Sequence, residues 1–177
     1  MARIIFIYGL VAGLIIIAGI IGTVALAGDQ PHGNVWLGYL IMLLGMSAVF
    51  MGVKRYRDRE RGGVVRFLPA LGVGLAIALM ASLAYVLVWE IYLAATNYAF
   101  MDQYITATLE ARRAEGLSGE AYRQLEASYR EMAVAYQSPL YRLPMTFAEI
   151  FPVGLLVSIV SAILLRNSRF LPARARA

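Results

Sequence analysis

Four long runs of apolar residues divide the chain. They cover residues 4–27, 35–53, 67–90 and 143–165. Each run is close to or longer than the roughly 20 residues that a helix needs to cross a lipid bilayer. The pattern predicts an all-α membrane protein, with four transmembrane helices in a single membrane domain over residues 1–177.

The segment between the third and fourth runs, residues 96–142, is polar and carries both signs of charge. Its apolar residues recur at the spacing of three and four that is typical of amphipathic helices, on either side of a break at 115–119. No Gly or Pro lies between Gly74 and this break. The third helix is therefore predicted to continue to about Ala114, before the chain returns as a helix ending near Gln137. We expect an extracytoplasmic antiparallel helical hairpin here.

Composition supports the membrane assignment. The chain of 177 residues is 60% hydrophobic and has a mean hydropathy of +0.68, so much of its apolar surface has to face lipid. A cleaved signal peptide is the rival interpretation of the first run, because Ala25-Leu26-Ala27 has the form of a cleavage site. Since the apolar run is longer than the usual signal-peptide core and only Arg3 precedes it, an uncleaved first span is favoured.

The basic residues predict the orientation. Eleven of the 16 Lys and Arg residues lie at Arg3, within 54–66 or after residue 165. If the chain crosses the membrane four times, these three regions all lie on the same side. The net charge of +5 is thus explained by membrane orientation, and no nucleic-acid partner is expected. Both termini are predicted to be cytoplasmic. The topology-setting basic loop comprises Lys54, Arg55, Arg57, Arg59 and Arg61.

Small residues recur along the predicted spans. Gly38, Gly45 and Gly52 are seven residues apart, and similar Gly, Ala and Ser spacings occur in the third and fourth runs. Such stripes allow helix backbones to approach closely. Besides the lipid bilayer, the expected partners are a second copy of the chain or another membrane protein, bound through these stripes or through the hairpin.

Common catalytic motifs are missing. The chain has no Cys and one histidine, His32, which lies in a turn-forming sequence. It also lacks the HExxH, GxSxG and Walker motifs. We therefore assign no catalytic residue, metal or cofactor, and a membrane enzyme is the least favoured of the functions considered.

Two acidic residues, Glu90 and Glu149, fall within or near the predicted spans. Glu90 is expected near the outer membrane boundary and Glu149 somewhat inside it, with Pro152 one turn further along the same helix. Arg142 is the nearest cation to Glu149 in the sequence. These four residues form a candidate intramembrane polar site. The alternative is that both acids are interfacial and bonded to Tyr, Trp or backbone groups.

Three segments resemble a known family. The stretch from Tyr8 to Leu14, the segment with Lys54–Asp58, and Thr146–Gly154 are similar to the bacterial membrane-protein family called domain of unknown function 4199. The resemblance covers nearly the whole chain. It implies a four-span protein of the bacterial inner membrane with an outer helical insertion, and it implies no activity.

Two functions are therefore compared. The first is a non-enzymatic packing, interaction or accessory subunit that presents the hairpin to a partner. The second is a small proton- or cation-coupled transporter that uses Glu149 and Glu90. A water-accessible polar cavity reaching Glu149 would favour transport, whereas a dry bundle would favour interaction.

Overall fold

A computed structural model describes residues 1–27 and 35–173 of the chain. His32, Arg174 and Arg176 lie outside these described residues. Within them the chain forms helices and no strands, in agreement with the predicted fold class. The six helices are α1 (Ala2–Ala27), α2 (Val35–Glu60), α3 (Phe67–Ala95), α4 (Phe100–Ala114), α5 (Gly119–Gln137) and α6 (Pro139–Arg166).

Helices α1, α2, α3 and α6 are each long and apolar enough to cross a membrane. They form a four-helix bundle in which α1 packs against α2 and α3, while α6 packs against the other sides of α2 and α3. The buried core of this bundle includes Ile16, Met46, Ile77 and Ile150. Helices α2 and α3 also contact each other, so the four helices share one core.

Small residues allow α3 and α6 to approach closely. A Cβ atom built on Gly154 would lie 2.7 Å from the Cβ of Ala78, and one built on Gly74 would lie 2.9 Å from the Cβ of Ser158. These glycines belong to the small-residue spacings that the sequence shows in both runs. The contact therefore depends on the absence of side chains at Gly74 and Gly154.

The third helix ends earlier than predicted. It stops at Ala95 instead of continuing to about Ala114, because Asn97 and Tyr98 adopt positive φ angles of 51° and 57°. The amide of Tyr98 donates to the carbonyl of Leu93 and that of Asn97 to the carbonyl of Ala94, which is the hydrogen-bond pattern of a Schellman C-cap. Glycine tolerates this left-handed conformation best, and asparagine is the next most tolerant residue type.

The segment predicted as a basic loop is mostly helical. Helix α2 continues to Glu60, so that only residues 61–66 connect it to α3. At the other end of the bundle, α6 begins at Pro139, and Ser138 alone separates it from α5. Helices α2 and α6 are therefore longer than the apolar runs from which they were predicted.

Helices α4 and α5 contact each other, and α5 also contacts α6. Ile105 and Leu109 of α4 and Tyr136 of α5 are buried, whereas the charged residues of both helices are mainly exposed. The guanidinium of Arg113 lies 5.9 Å from the ring centre of Tyr122, near the connection between the two helices. The amphipathic pattern of the sequence thus separates the buried from the exposed side of each helix.

Candidate functional site

Glu90 and Arg142 form an ion pair between α3 and α6. Nε of Arg142 donates to Oε1 of Glu90 at 2.6 Å, and Nη2 donates to Oε2 at 2.7 Å. The side chain of Arg142 is 2% exposed and that of Glu90 is 23% exposed. Paired, parallel hydrogen bonds of this kind are among the strongest and most directional contacts between side chains.

The remaining donor of Arg142 holds the end of α5. Its Nη1 donates to the backbone carbonyl of Tyr136 at 2.8 Å and to that of Gln137 at 3.2 Å. These carbonyls belong to the last turn of α5, where they lack partners within the helix. One arginine therefore connects α3, α5 and α6.

Two tyrosine rings flank the same guanidinium. The centre of the Tyr98 ring lies 5.1 Å from Cζ of Arg142, and that of Tyr136 lies 5.7 Å away, both within the range of cation–π contacts. Tyr98 is brought there by the positive φ angle that ends α3. The turn after α3 and the arginine of α6 are thus parts of one structure.

An aromatic cluster extends from this pair. The indole Nε1 of Trp89 donates to the hydroxyl of Tyr136 at 2.9 Å, and the Trp89 ring packs against those of Tyr85, Tyr92 and Phe100. Burial raises the pKa of the Tyr136 hydroxyl above its ordinary value. Aromatic residues with one polar group are typical of the boundary between lipid and water.

Glu149 lies near this cluster but makes no hydrogen bond to it. Within residues 1–27 and 35–173 it forms no hydrogen bond or ion pair, and its side chain is exposed beside a groove of about 300 Å³ lined by Gly38, Tyr39 and Met42. Pro152 lies further along α6 and is also exposed. The structure therefore brings together two of the four residues of the predicted polar site, Glu90 and Arg142, and leaves Glu149 and Pro152 apart from them.

The basic residues gather at the opposite end of the bundle. Arg57 is fully buried, and it donates to Oδ1 of Asp58 at 2.7 Å and to the carbonyls of Phe170 and Leu171 at 2.8 and 2.5 Å. Lys54 also pairs with Asp58, at 2.5 Å. Of the five predicted topology-setting residues, Arg57 thus holds the segment after α6 against the end of α2, and Lys54 pairs with the same acid as Arg57.

The part of the chain that the structure describes contains no group of three or more His, Cys, Asp or Glu residues able to hold a metal ion. The arrangement around Arg142 is a structural joint in which every strong donor of the guanidinium has an acceptor.

Sequence reasoning named Glu90 and Arg142 but missed their partners Tyr98 and Tyr136. Both tyrosines lie within the polar segment of residues 96–142, and nothing in its amphipathic spacing shows that they pack on Arg142. The position of Arg142 at the start of the fourth apolar run was a signal for such partners. An arginine that is buried there needs hydrogen-bond acceptors or aromatic rings around its guanidinium.

Comparison with protein families identifies the chain. The family model described as Protein of unknown function (DUF4199) matches residues 7–167. The chain belongs to the DUF4199 family. The resemblance noted in the sequence is thereby confirmed. The DUF4199 match includes Glu90, Arg142 and Arg57, and so contains both the joint and the buried arginine of the basic end.

No curated protein and no solved structure matches this DUF4199 chain.

Proposed function

We propose that this DUF4199 protein is a non-enzymatic membrane protein that holds α4 and α5 as an antiparallel hairpin at a fixed position, for binding another protein. The observation that carries the proposal is the ion pair between Glu90 and Arg142. Glu90 lies just before the polar segment of residues 96–142, and Arg142 is its last residue. The pair therefore clamps the two ends of the hairpin together at the surface of the bundle.

The other contacts of Arg142 support the same function. Its bonds to the carbonyls of Tyr136 and Gln137 fix the end of α5, while the ring of Tyr98 fixes the turn before α4. Both helices of the hairpin are thus oriented by one buried side chain. A protein that presents a surface to a partner benefits from such an arrangement, because less conformational entropy is lost on binding.

The polar groups buried in the bundle support a transport function less than they support an interaction function. Ser82, Ser158 and Ser161 are buried among the spans, and each donates to a carbonyl of its own helix four residues earlier. These serines are thereby satisfied without water. Glu90, one of the two acids assigned to transport, is already engaged by Arg142.

A small proton- or cation-coupled transporter is the second candidate, and Glu149 is the observation that favours it. Its carboxylate faces the groove beside Tyr39 and Met42 and has no ion-pair partner among the described residues. An unpaired acid within a span is a common feature of proton pathways. Transport would have to proceed along the outside of the bundle or between two copies.

Membrane orientation follows from the charges. Arg3, Arg66 and Arg166 lie at the same end as the basic turns of α2, and the positive-inside rule assigns this end to the cytoplasm. The protein would then reside in a bacterial inner membrane with α4 and α5 on the outer side.

Photo-crosslinking in living cells tests the interaction function. A photoreactive residue at Val134, 69% exposed on α5, is compared with one at Leu156, 63% exposed on α6. We expect a discrete adduct with another protein from Val134 and none from Leu156. Arg142→Met should abolish the adduct by releasing the hairpin.

Protein adducts of equal yield from both positions would contradict the proposal, as would their absence from Val134 and from a second hairpin position, Tyr104. A proton- or cation-dependent phenotype abolished by Glu149→Gln would instead support the transporter.

A further inference from the structure

Three arginines from two helices line one cavity at the basic end of the bundle. Arg3 lies in the first turn of α1, and Arg55 and Arg59 lie near the end of α2. The cavity has a volume of about 380 Å³. This volume falls within the roughly 300–1,000 Å³ that is usual for sites binding small molecules.

These arginines lack the partners that their neighbours have. Arg57 and Lys54 pair with Asp58, and Arg61 donates to the hydroxyl of Tyr56. In contrast, no carboxylate of residues 1–27 or 35–173 forms an ion pair with any of the three arginines of the cavity.

The spacing within α2 makes this unpaired charge costly. Arg55 and Arg59 are four residues apart, so their side chains lie on the same face of the helix, where like charges repel each other. Arg3 adds a third positive charge from α1. An anion bound between them would remove the repulsion and accept several charge-assisted hydrogen bonds.

One acidic residue also lines the cavity. Glu60 accepts a hydrogen bond from the amine of Met1, and this contact offsets its charge. The lining therefore stays positive overall.

The inner wall of the cavity is apolar. Ile4 is buried there, Ile7 is 44% exposed on the outer face of α1, and the ring of Tyr8 packs over Gly52 of α2. The Tyr8 hydroxyl has no hydrogen-bond partner within the described ranges. The cavity thus combines basic groups at the end of two spans with an apolar surface that continues along the membrane face.

We propose that this cavity binds the phosphate of an anionic phospholipid headgroup. Arg3, Arg55 and Arg59 would hold the phosphate oxygens, the Tyr8 hydroxyl would donate a further hydrogen bond, and the acyl chains would lie along Ile7. Arginine suits this role because its planar guanidinium can donate two parallel hydrogen bonds to a phosphate. Basic pockets between the ends of membrane helices are known to bind such headgroups.

Native mass spectrometry of the purified full chain in detergent tests this site. The protein is incubated with cardiolipin, phosphatidylglycerol or phosphatidylcholine, and the retained lipid is counted. We expect one anionic lipid to be retained in preference to phosphatidylcholine. The triple variant Arg3→Gln, Arg55→Gln, Arg59→Gln should lower the affinity for it by at least about tenfold.

The matched control removes the same charge at the same end of the bundle. Arg66, Arg166 and Arg169 are exposed there and do not line the cavity, and their triple substitution by Gln should change lipid affinity by less than about twofold. The single variant Arg55→Gln provides a milder test, in which a measurable loss of affinity is expected in a protein whose fold is checked by its thermal melting.

Three results would overturn the proposal. The wild-type protein could retain the neutral lipid as well as the anionic ones, or the two triple variants could lose affinity equally, which would indicate attraction by charge alone. Displacement of the bound lipid by inorganic phosphate at millimolar concentration would show that a free anion, and not a lipid, is the ligand of the site.

Discussion

Arg142 of α6 donates two parallel hydrogen bonds, of 2.6 and 2.7 Å, to the carboxylate of Glu90 on α3. The two residues are 52 positions apart in the chain. The polar segment between these residues comprises α4 and α5, so the pair closes the segment at its base. Every residue of this joint lies at the end of the bundle opposite the basic residues. Arg142 thereby connects the end of α5 to both α3 and α6.

Arg142→Met should destabilise the protein strongly. The substitution leaves the Glu90 carboxylate and the carbonyls of Tyr136 and Gln137 without their donor. Removing one partner of a buried ion pair lowers the free energy of unfolding by about 3 kcal/mol or more. Unfolding in detergent, followed by circular dichroism, measures the change.

The control for this variant is Arg130→Met. Arg130 is 76% exposed and pairs with Glu126 one turn away on α5. Exposed pairs of this kind contribute about 0.5 kcal/mol or less. Equal losses of stability in the two variants would show that the buried pair has no special role.

Gly154→Ala should loosen the contact between α3 and α6. The added Cβ would lie 2.7 Å from the Cβ of Ala78, which is fixed to its backbone and cannot rotate away. Overpacking of this kind costs about 1–3 kcal/mol. The matched control is Gly72→Ala on α3, where a Cβ meets open space and should leave stability unchanged or raise it by up to about 1 kcal/mol. A stable Gly154→Ala protein would contradict the close packing.

Much of the fold could be predicted from the sequence because lipid imposes a simple rule. Apolar runs of sufficient length form spans, and four such runs correspond to α1, α2, α3 and α6. The break after α3 was missed because only Gly and Pro were treated as helix terminators. Thr96 is the C-cap, and Asn97, the residue after it, ends the helix with a positive φ angle. The next residue, Tyr98, also has a positive φ angle, and its ring packs on Arg142.

The candidate site was predicted only in part, since sequence distance does not report which side chains meet. Arg142 was associated with Glu149, but seven residues of helix separate them by about 10 Å along the axis. Its partner Glu90 is reached through the contact between α3 and α6. The burial of Arg57 could not be predicted either, because its acceptors are backbone carbonyls beyond α6.

Asn97→Val should weaken the turn between α3 and α4. A β-branched residue at a φ angle of 51° is strained by about 1–2 kcal/mol, whereas Asn97→Gly removes this strain. We expect Val to lower and Gly to preserve the thermal stability. Ala94→Val, at an exposed helical position nearby, controls for the change of side chain and should cost less than about 1 kcal/mol. Tolerance of Val at position 97 would contradict the left-handed turn.

Cysteine labelling tests the orientation, and the absence of native Cys makes the experiment clean. Ser118→Cys lies between α4 and α5, and Arg66→Cys lies at the basic end. A membrane-impermeant thiol reagent should label the first in intact cells and the second only after permeabilisation, because the basic end is assigned to the cytoplasm. The reverse labelling pattern would invert the topology.

Electron spin resonance distances measure the fixed position of the hairpin most directly. Spin labels at Ser118, between α4 and α5, and at Leu87, 63% exposed on α3, report how the hairpin is placed relative to the bundle. The account predicts one narrow distance distribution in the wild-type background and in Arg130→Met, and a clearly broader one in Arg142→Met. A broad distribution in the wild-type background, or an unchanged narrow one in Arg142→Met, would contradict the claim that Arg142 and Glu90 hold the hairpin in place.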